Sequence, residues 1–146
     1  MIRRAAIYDI PEIHEIEVRN FSLPWSEESF RDCLNYDDTL FFVDEEEGKI
    51  AGFAVLRLFP DEAELYNIAV GEEYRRRGIA DSLMNTLTDE CDRRRIERIL
   101  LEVRQSNAPA RALYKKHGFT VLGVRAKYYD EPKEDAVIME RERQNQ

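Results

Sequence analysis

One segment limits the possible folds of this chain of 146 residues more than any other. Residues 64–70, with sequence ELYNIAV, are typical of a β-strand, and residues 75–80, with sequence RRRGIA, open a helix. A helix N-terminus presents unpaired N–H groups and a positive dipole end, which together attract an anion such as pyrophosphate. Gly78 lacks the Cβ that would keep a phosphate away from this backbone. The segment therefore predicts a strand–turn–helix unit with an anion site.

Apolar and turn residues predict further elements on both sides of this unit. The predicted strands are residues 2–6, 40–44, 50–59, 64–70, 99–103, 121–128 and 136–140. The predicted helices begin at Asp9 and Ser26 and cover residues 79–91 and 108–117, the last closed by Gly118. An antiparallel meander followed by alternating strands and helices predicts an α/β fold, a mixed sheet with helices on both faces. We expect a single domain over residues 1–146, with a polar tail from about residue 141.

Composition argues against several classes of protein. The formal net charge of −8 disfavours nonspecific binding to nucleic acid or to an anionic membrane, and it favours basic partners. Cys33 and Cys91 do not form a disulfide framework, and His14 and His117 lack metal-ligand spacing, so we expect no metal. A signal region and a membrane-length apolar run are both missing, so we expect a cytoplasmic protein.

Glu102 is the candidate catalytic acid or base in the strand predicted at residues 99–103. Alternation places it on the face opposite Leu101 and Val103. A strand that is followed by a crossover helix is usually interior, where a carboxylate is costly unless it is paired or lies in a cleft. The alternative is an edge strand, on which Glu102 would simply face water.

A second motif follows at residues 107–119, with the pattern Asn-x-x-Ala-x-x-Leu-Tyr-x-x-x-Gly-Phe. Taken alone, Asn107 is a suitable N-cap and Tyr114 a suitable core residue. Together with residues 75–80, however, the pattern resembles the two segments that contact acetyl-coenzyme A in the GNAT N-acetyltransferase superfamily. Two such segments in this order and at this distance make a chance match improbable.

The resemblance implies acetyl-coenzyme A as co-substrate and assigns the residues that would hold it. The main chain at Ile68, Ala69 and Val70 would orient the pantetheine and polarise the thioester carbonyl. Asn107 would bind the pantetheine arm. The pyrophosphate would be held, mainly by main-chain groups, at Arg76, Arg77, Gly78, Ile79, Ala80 and Asp81.

Motifs outside these segments are similar to one subfamily, the RimI-type ribosomal-protein-alanine N-acetyltransferases. They lie at residues 21–30, 65–70, 101–107, 128–129 and 134–139. The resemblance implies acetylation of a protein N-terminus, with Glu102 as general base and Tyr114 as general acid. It also suggests side chains that contact the acceptor, namely Trp25, Tyr66, Asn67, Tyr128 and Tyr129.

Two other functions stay open from the sequence. The chain could be a GNAT enzyme that acts on a small amine or a lysine side chain, because sequence does not show whether the acceptor groove is open. It could also be a coenzyme A-binding protein without catalysis, although Glu102 and Tyr114 are both retained. For an enzyme we expect direct attack in a ternary complex, since neither cysteine lies in a nucleophile context. The breadth of acceptors and the oligomeric state are not predicted.

Overall fold

The computed structural model describes residues 1–130 and 133–144, with the side chain of Asp130 left out. In chain order the strands are β1 Ile2–Arg4, β2 Thr39–Glu46, β3 Lys49–Leu58, β4 Glu62–Val70, β5 Arg98–Arg104, β6 Thr120–Asp130 and β7 Lys133–Glu142. The helices are α1 Ile10–Asn20, α2 Glu27–Leu34, α3 Ile79–Arg93 and α4 Ala108–Lys116. Within the described residues, none of these helices is long and apolar enough to cross a membrane.

The strands form one mixed sheet in the order β1-β2-β3-β4-β5-β7-β6. Strands β1 to β4 form an antiparallel meander, and α3 then crosses over so that β5 pairs with β4 in parallel. The β6–β7 hairpin returns with β7 next to β5. The predicted mixed α/β sheet is therefore confirmed, and β5, which carries Glu102, is an interior strand as expected.

Two buried clusters hold helices against the two faces of the sheet. The four-residue spacing of Ile79, Leu83, Leu87 and Cys91 places the apolar side of α3 on one face, where α4 adds Tyr114. The second cluster joins α1 and α2 to the opposite face through the buried side chains of Ile10, Ile13, Ile16, Phe30, Phe41 and Phe53. The sheet is thus covered on both sides over β2 to β4, where its residues alternate between the two clusters.

Strands β4 and β5 separate soon after they meet, and this separation creates the site. In the described part of the chain their pairing is confined to Glu62–Arg98, Ala63–Ile99 and Glu64–Leu100. A β-bulge follows in β4, because Leu65 and Asn67 pair with successive residues of β3 and Tyr66 is the extra residue between them. A bulge bends its strand and increases the local twist. It accompanies the opening of a gap between the later parts of β4 and β5.

The N-terminal helix begins differently from the prediction. The sequence predicts a helix that begins at Asp9, because Asp9 is a suitable cap and Glu12 lies three residues after it. Instead the Asp9 carboxylate accepts from the backbone N–H of Ala6, 2.8 Å away, and closes a short 3-10 turn. Glu12 accepts from the N–H of Ile50 at 2.9 Å. Both carboxylates thus accept hydrogen bonds from residues outside α1, and a local cap motif does not predict such partners.

Other element boundaries also differ from the prediction by a few residues. The strands of the predicted hairpin at residues 40–59 run through its acidic turn, and the turn itself is only Glu47-Gly48, with φ of 52° and 80°. Such a two-residue turn with both φ values positive matches the twist of its strands. The side chain of Ser26 caps α2 as predicted, and Gly118, with a φ of 93°, follows α4. Strand β7 continues to Glu142, beyond the predicted start of the tail.

Candidate active site

The end of β4 supplies main-chain donors on the open side of the gap. The N–H of Gly71 donates to the carbonyl of Ala51 on β3 at 2.7 Å. Because main-chain groups alternate in direction along a strand, Ala69 also turns toward β3, whereas Ile68 and Val70 turn toward the gap. Of the three residues predicted to orient the pantetheine, Ile68 and Val70 are therefore placed to donate, and Ala69 is not.

The loop between β4 and α3 carries the residues of the predicted anion site. Arg76 and Gly78 both have left-handed backbone conformations, with φ of 66° and 78°. Gly78 is the N-cap of α3, and a Cβ placed there would lie more than 4 Å from every described atom it could clash with. The first N–H groups of the helix, at Ile79, Ala80 and Asp81, have no partner within the helix. Gly78 meets a backbone requirement and leaves room for a ligand.

Arginine side chains surround this loop, but they do not all face the same way. Arg76 and Arg77 are exposed, and the Arg77 guanidinium lies 5.4 Å from the ring centre of Tyr74. Arg75 turns toward α1 and donates to the Oδ1 of Asn20 at 2.9 Å. Arg76 and Arg77, the two arginines predicted to support the anion site, are therefore exposed and directly precede the N-cap Gly78.

The side chain of Asp81 links two helices. Its carboxylate lies 2.8 Å from His117 Nε2 and 3.1 Å from Lys116 Nζ, at the end of α4. These contacts hold the pKa of Asp81 below its ordinary value, and the hydrogen bond to His117 is the largest cause. Asp81 was predicted as a cofactor residue, and the structure leaves only its main-chain N–H for that role.

Glu102 lies beside the gap, two residues beyond the last β4–β5 pair. Its Oε1 accepts from Arg125 Nη1 of β6 at 2.8 Å, and a quarter of its side chain is exposed. Glu64 of β4 is its acidic neighbour, and burial together with the charge of Glu102 raises the pKa of Glu64. The predicted base is therefore a partly buried carboxylate reachable from solvent.

Tyr114 is buried on the α4 side of the sheet, where its ring packs 5.9 Å from that of Phe119. Burial raises the pKa of Tyr114, and the neighbouring Tyr129 adds to the effect. Burial also raises the pKa of Tyr129 to about 12, with Glu102 as the second cause. Tyr129 thus lies within electrostatic range of both predicted catalytic residues. A tyrosine that stays protonated can donate a proton to a leaving thiolate.

Asn107 performs the capping role that its position suggests. Its Oδ1 accepts from the N–H of Ala110, 3.2 Å away, at the start of α4. The amide NH2 group is not used in this bond and can still donate to a ligand.

Trp25, Tyr66 and Asn67 form a connected group on the α1–α2 side of the sheet. The Trp25 ring lies 5.8 Å from that of Tyr66, in an edge-on arrangement, and 5.3 Å from that of Phe30. Asn67 Nδ2 donates to both carboxylate oxygens of Glu17, at 2.8 and 2.9 Å. The structure thus brings these three predicted acceptor residues together at the β4 bulge.

Tyr128 and Tyr129 lie on β6, each against an arginine. The guanidinium of Arg125 is 4.5 Å from the ring centre of Tyr128, and that of Arg104 is 4.4 Å from the ring centre of Tyr129. Arg104 also reaches Ser22 Oγ in the α1–α2 loop at 3.4 Å. It thereby connects the two segments predicted to flank the acceptor.

Sequence reasoning missed three residues of this region, namely Glu17, Arg104 and Arg125. Glu17 carried a signal, since it lies four residues after Ile13 and seven after Ile10, on the apolar side of α1. An acid at such a position is buried unless the helix ends first. Arg104 and Arg125 meet their partners only through the pairing of β5, β7 and β6, which the sequence does not reveal.

The sequence of this chain is similar to those of known acetyltransferases. Residues 10–119 match the model of the acetyltransferase (GNAT) family. A [ribosomal protein bS18]-alanine N-acetyltransferase of Escherichia coli is 41% identical over 133 residues, which cover 90% of this chain and 89% of that protein. A putative enzyme of the same name from Bacillus subtilis is 36% identical and covers 94% of this chain and 92% of its own length.

Solved structures show the same fold. The crystal structure of the ribosomal-protein-S18-alanine N-acetyltransferase from Escherichia coli superposes with a TM-score of 0.91 at 37% identity, over 100% of this chain and 95% of that one. Ard1 from Thermoplasma volcanium gives 0.91 at 26% identity, over 99% and 98% of the two chains. The chain belongs to the acetyltransferase (GNAT) family.

Proposed function

We propose that this protein transfers the acetyl group of acetyl-coenzyme A to the N-terminal amine of a protein. The proposed acceptor is the N-terminal alanine of a small-subunit ribosomal protein, and the proposed location is the cytoplasm. The observation that carries the proposal is the position of Glu102, on β5 where this strand has left β4. Relatives at 36 and 41% identity that carry the name of this activity support the choice of acceptor.

Glu102 is the proposed general base. An N-terminal amine has an ordinary pKa of about 7.7–8.0, so part of the acceptor is an ammonium at neutral pH and must lose a proton. A carboxylate at the mouth of the gap can take this proton, directly or through a water molecule. Arg125 is more than half exposed, so the amine can displace it from Glu102 at modest cost.

The other side of the gap stabilises the charge that develops during attack. The N–H groups of Ile68 and Val70 are fixed by the sheet and would face the thioester oxygen, which is the arrangement of an oxyanion hole. Tyr114 is the proposed donor to the leaving thiolate. The N-terminus of α3, with Arg76 and Arg77 beside it, would hold the pyrophosphate. Acetyl-coenzyme A supplies the activated acetyl group as co-substrate.

The surface near Glu102 fits a peptide acceptor better than a small amine held in a closed pocket. A cavity of about 400 Å³ has in its wall Glu64, the acidic neighbour of Glu102, and Leu100, two residues before Glu102 on β5. Its lining includes the half-exposed ring of Phe59 and the acids Asp61 and Glu62. Such a surface can accept the residues that follow an N-terminal alanine, especially basic ones.

The test is a thiol-release assay with acetyl-coenzyme A and four acceptors. These are a peptide with a free N-terminal alanine, the same peptide N-acetylated, an N-terminally blocked lysine peptide, and spermidine. We expect turnover on the free-alanine peptide alone. Glu102→Gln and Tyr114→Phe should each lower kcat about 100-fold, the usual scale for a general base or acid. Glu97→Gln and Tyr8→Phe, at exposed positions, are the matched controls and should leave kcat unchanged.

Two outcomes would contradict the proposal. Turnover only on spermidine or the lysine peptide would retain an acetyltransferase and exclude the N-terminal acceptor. Binding of acetyl-coenzyme A without turnover on any acceptor would favour a coenzyme A-binding protein.

A further inference from the structure

Glu17 is a buried acid that the proposed chemistry does not use. It lies near the end of α1, and only 1% of its surface is exposed. Its Oε2 accepts from the backbone N–H of Trp25 at 3.0 Å, and both oxygens accept from Asn67 Nδ2. Among the described residues these neutral groups are its hydrogen-bond partners, and it forms no ion pair there.

A carboxylate at this position does what an amide or hydroxyl could not. It only accepts hydrogen bonds, so it fixes the Asn67 amide with its NH2 group toward Glu17 and its Oδ1 on the opposite side. It also accepts from the backbone of Trp25, on another segment. Neutral donors compensate only part of the desolvation cost of the charge, as the raised pKa of Glu17 indicates.

The two segments that Glu17 joins are those of the candidate acceptor site. Trp25 lies in the loop at residues 21–26 between α1 and α2, and Asn67 follows the bulge residue Tyr66 on β4. The edge-on contact between Trp25 and Tyr66 lies over the same junction. Next along β4 is Ile68, a proposed donor to the thioester. A shift of this junction would therefore move the acceptor wall relative to the acetyl group.

We propose that Glu17 is a positioning residue, which holds the α1–α2 loop against the β4 bulge so that the amine of the acceptor meets the thioester. This inference rests on the proposed function. It predicts an effect on the acceptor side of the reaction and none on acetyl-coenzyme A, whose proposed contacts lie on the β4 edge, the α3 N-terminus and α4.

The test replaces Glu17 by Gln, with Glu12→Gln as the matched control. Glu12 is on the same helix and also accepts a backbone N–H, that of Ile50, but at the other end of the helix. In Glu17→Gln one of the two acceptor oxygens becomes an NH2 group. If the remaining oxygen still accepts from Trp25, the new NH2 group faces the Nδ2 donor of Asn67, so one of the three contacts is lost and two donors face each other. We expect kcat/KM for the alanine peptide to fall about 10- to 100-fold, as for a small misplacement, and KM for acetyl-coenzyme A to stay within about twofold. Glu12→Gln should change neither.

Trp25 provides a second readout, because it is the only tryptophan of the chain. We expect its emission to move to longer wavelength in Glu17→Gln, as the loop loosens, and to stay unchanged in Glu12→Gln. Should Glu17→Gln not fold, Asn67→Ala breaks the same link from β4 and should give the same loss for the peptide.

The results separate this inference from the proposed function. If the wild-type protein does not acetylate the alanine peptide, the proposed function is wrong. In that case an unchanged Trp25 emission in Glu17→Gln would overturn the positioning role as well. Normal wild-type turnover with an unaltered peptide kcat/KM in Glu17→Gln would overturn the positioning role alone. An equal rise in both KM values would do the same, since it indicates general loss of structure.

Discussion

Glu17 shows at the scale of one residue how a functional position can oppose stability. Burial raises its pKa, and this effect exceeds the opposite contributions of the Trp25 N–H, of Asn67 and of the electrostatic interaction with His14. The folded state therefore holds the proton more tightly than the unfolded chain does. Linkage then requires the stabilising contribution to be full below the unfolded pKa and to be lost as pH rises through the higher, folded pKa.

This sign gives a prediction for stability against pH. As pH falls from 7 toward 4.5, the free energy of unfolding of the wild type should rise relative to that of Glu17→Gln, which has no proton to bind at this position. Urea unfolding of both proteins, measured at several pH values and followed by circular dichroism, supplies the two curves. A difference that stays constant, or that changes in the opposite direction, would mean that Glu17 is not desolvated in the folded protein.

The same scale shows what the sequence could predict about the site. Alternation alone placed Glu102 opposite Leu101 and Val103, because a strand has only two faces. It could not supply Arg125, which reaches Glu102 only after β7 has inserted beside β5. Nor could it show which of Ile68, Ala69 and Val70 turn toward the gap, because that depends on how β4 pairs with β3.

At the scale of elements, the β4–α3 loop depends on a conformation that glycine adopts easily. Gly78 and Gly48 offer a matched pair, since their φ values are 78° and 80° and a Cβ at either would lie more than 4 Å from the described atoms around it. Alanine should therefore cost each position about 1 kcal/mol of backbone strain and little else. Only at Gly78 would the new methyl group point into the proposed phosphate site.

We therefore expect Gly78→Ala and Gly48→Ala to lower the free energy of unfolding by similar amounts. Gly78→Ala should in addition raise KM for acetyl-coenzyme A about 10-fold or more, while Gly48→Ala leaves it unchanged. Thermal unfolding and the thiol-release assay measure the two effects. Equal KM values for the two variants would remove Gly78 from the phosphate site.

Elements were easier to predict than the contacts between them. The helix over residues 79–91 follows from four apolar residues at a spacing of four, a local pattern. The bulge at Tyr66 leaves no such pattern, because it arises where β3 and β4 fit together over a twisted sheet. Asp9 likewise looked like a helix cap, but Arg3 and the N–H of Ala6 bind its carboxylate in the folded chain. Long-range partners thus decide the details that matter most at the site.

At the scale of the whole molecule, the two faces of the sheet have different proposed roles. The face covered by α3 and α4 carries the proposed contacts to the cofactor, and the face covered by α1 and α2 carries Trp25 and Asn67. The gap between β4 and β5 connects the two faces of the sheet. An amine on one side can therefore meet a thioester on the other without a covalent intermediate on the protein.

Charge also acts at this scale. The chain has 30 acidic and 22 basic residues, and the cavity near Glu102 is lined by Asp61, Glu62 and Glu64. A peptide with basic residues after its alanine should be drawn to this surface, whereas a neutral peptide should not. Added salt screens such attraction, with a Debye length of about 30 Å at 0.01 M and about 8 Å at 0.15 M.

We therefore expect kcat/KM for a basic alanine peptide to fall several-fold as salt rises across this range. For a peptide of equal length with neutral residues after the alanine, kcat/KM should fall less than about twofold, because the acidic surface does not attract it electrostatically. Glu64→Gln should reduce the salt dependence for the basic peptide. Asp89→Asn, at an exposed position of α3 that is not part of the cavity lining, should retain it. Equal salt dependence for the two peptides would show that the acidic surface does not select the acceptor, since ionic strength would then be acting on the enzyme or on acetyl-coenzyme A alone.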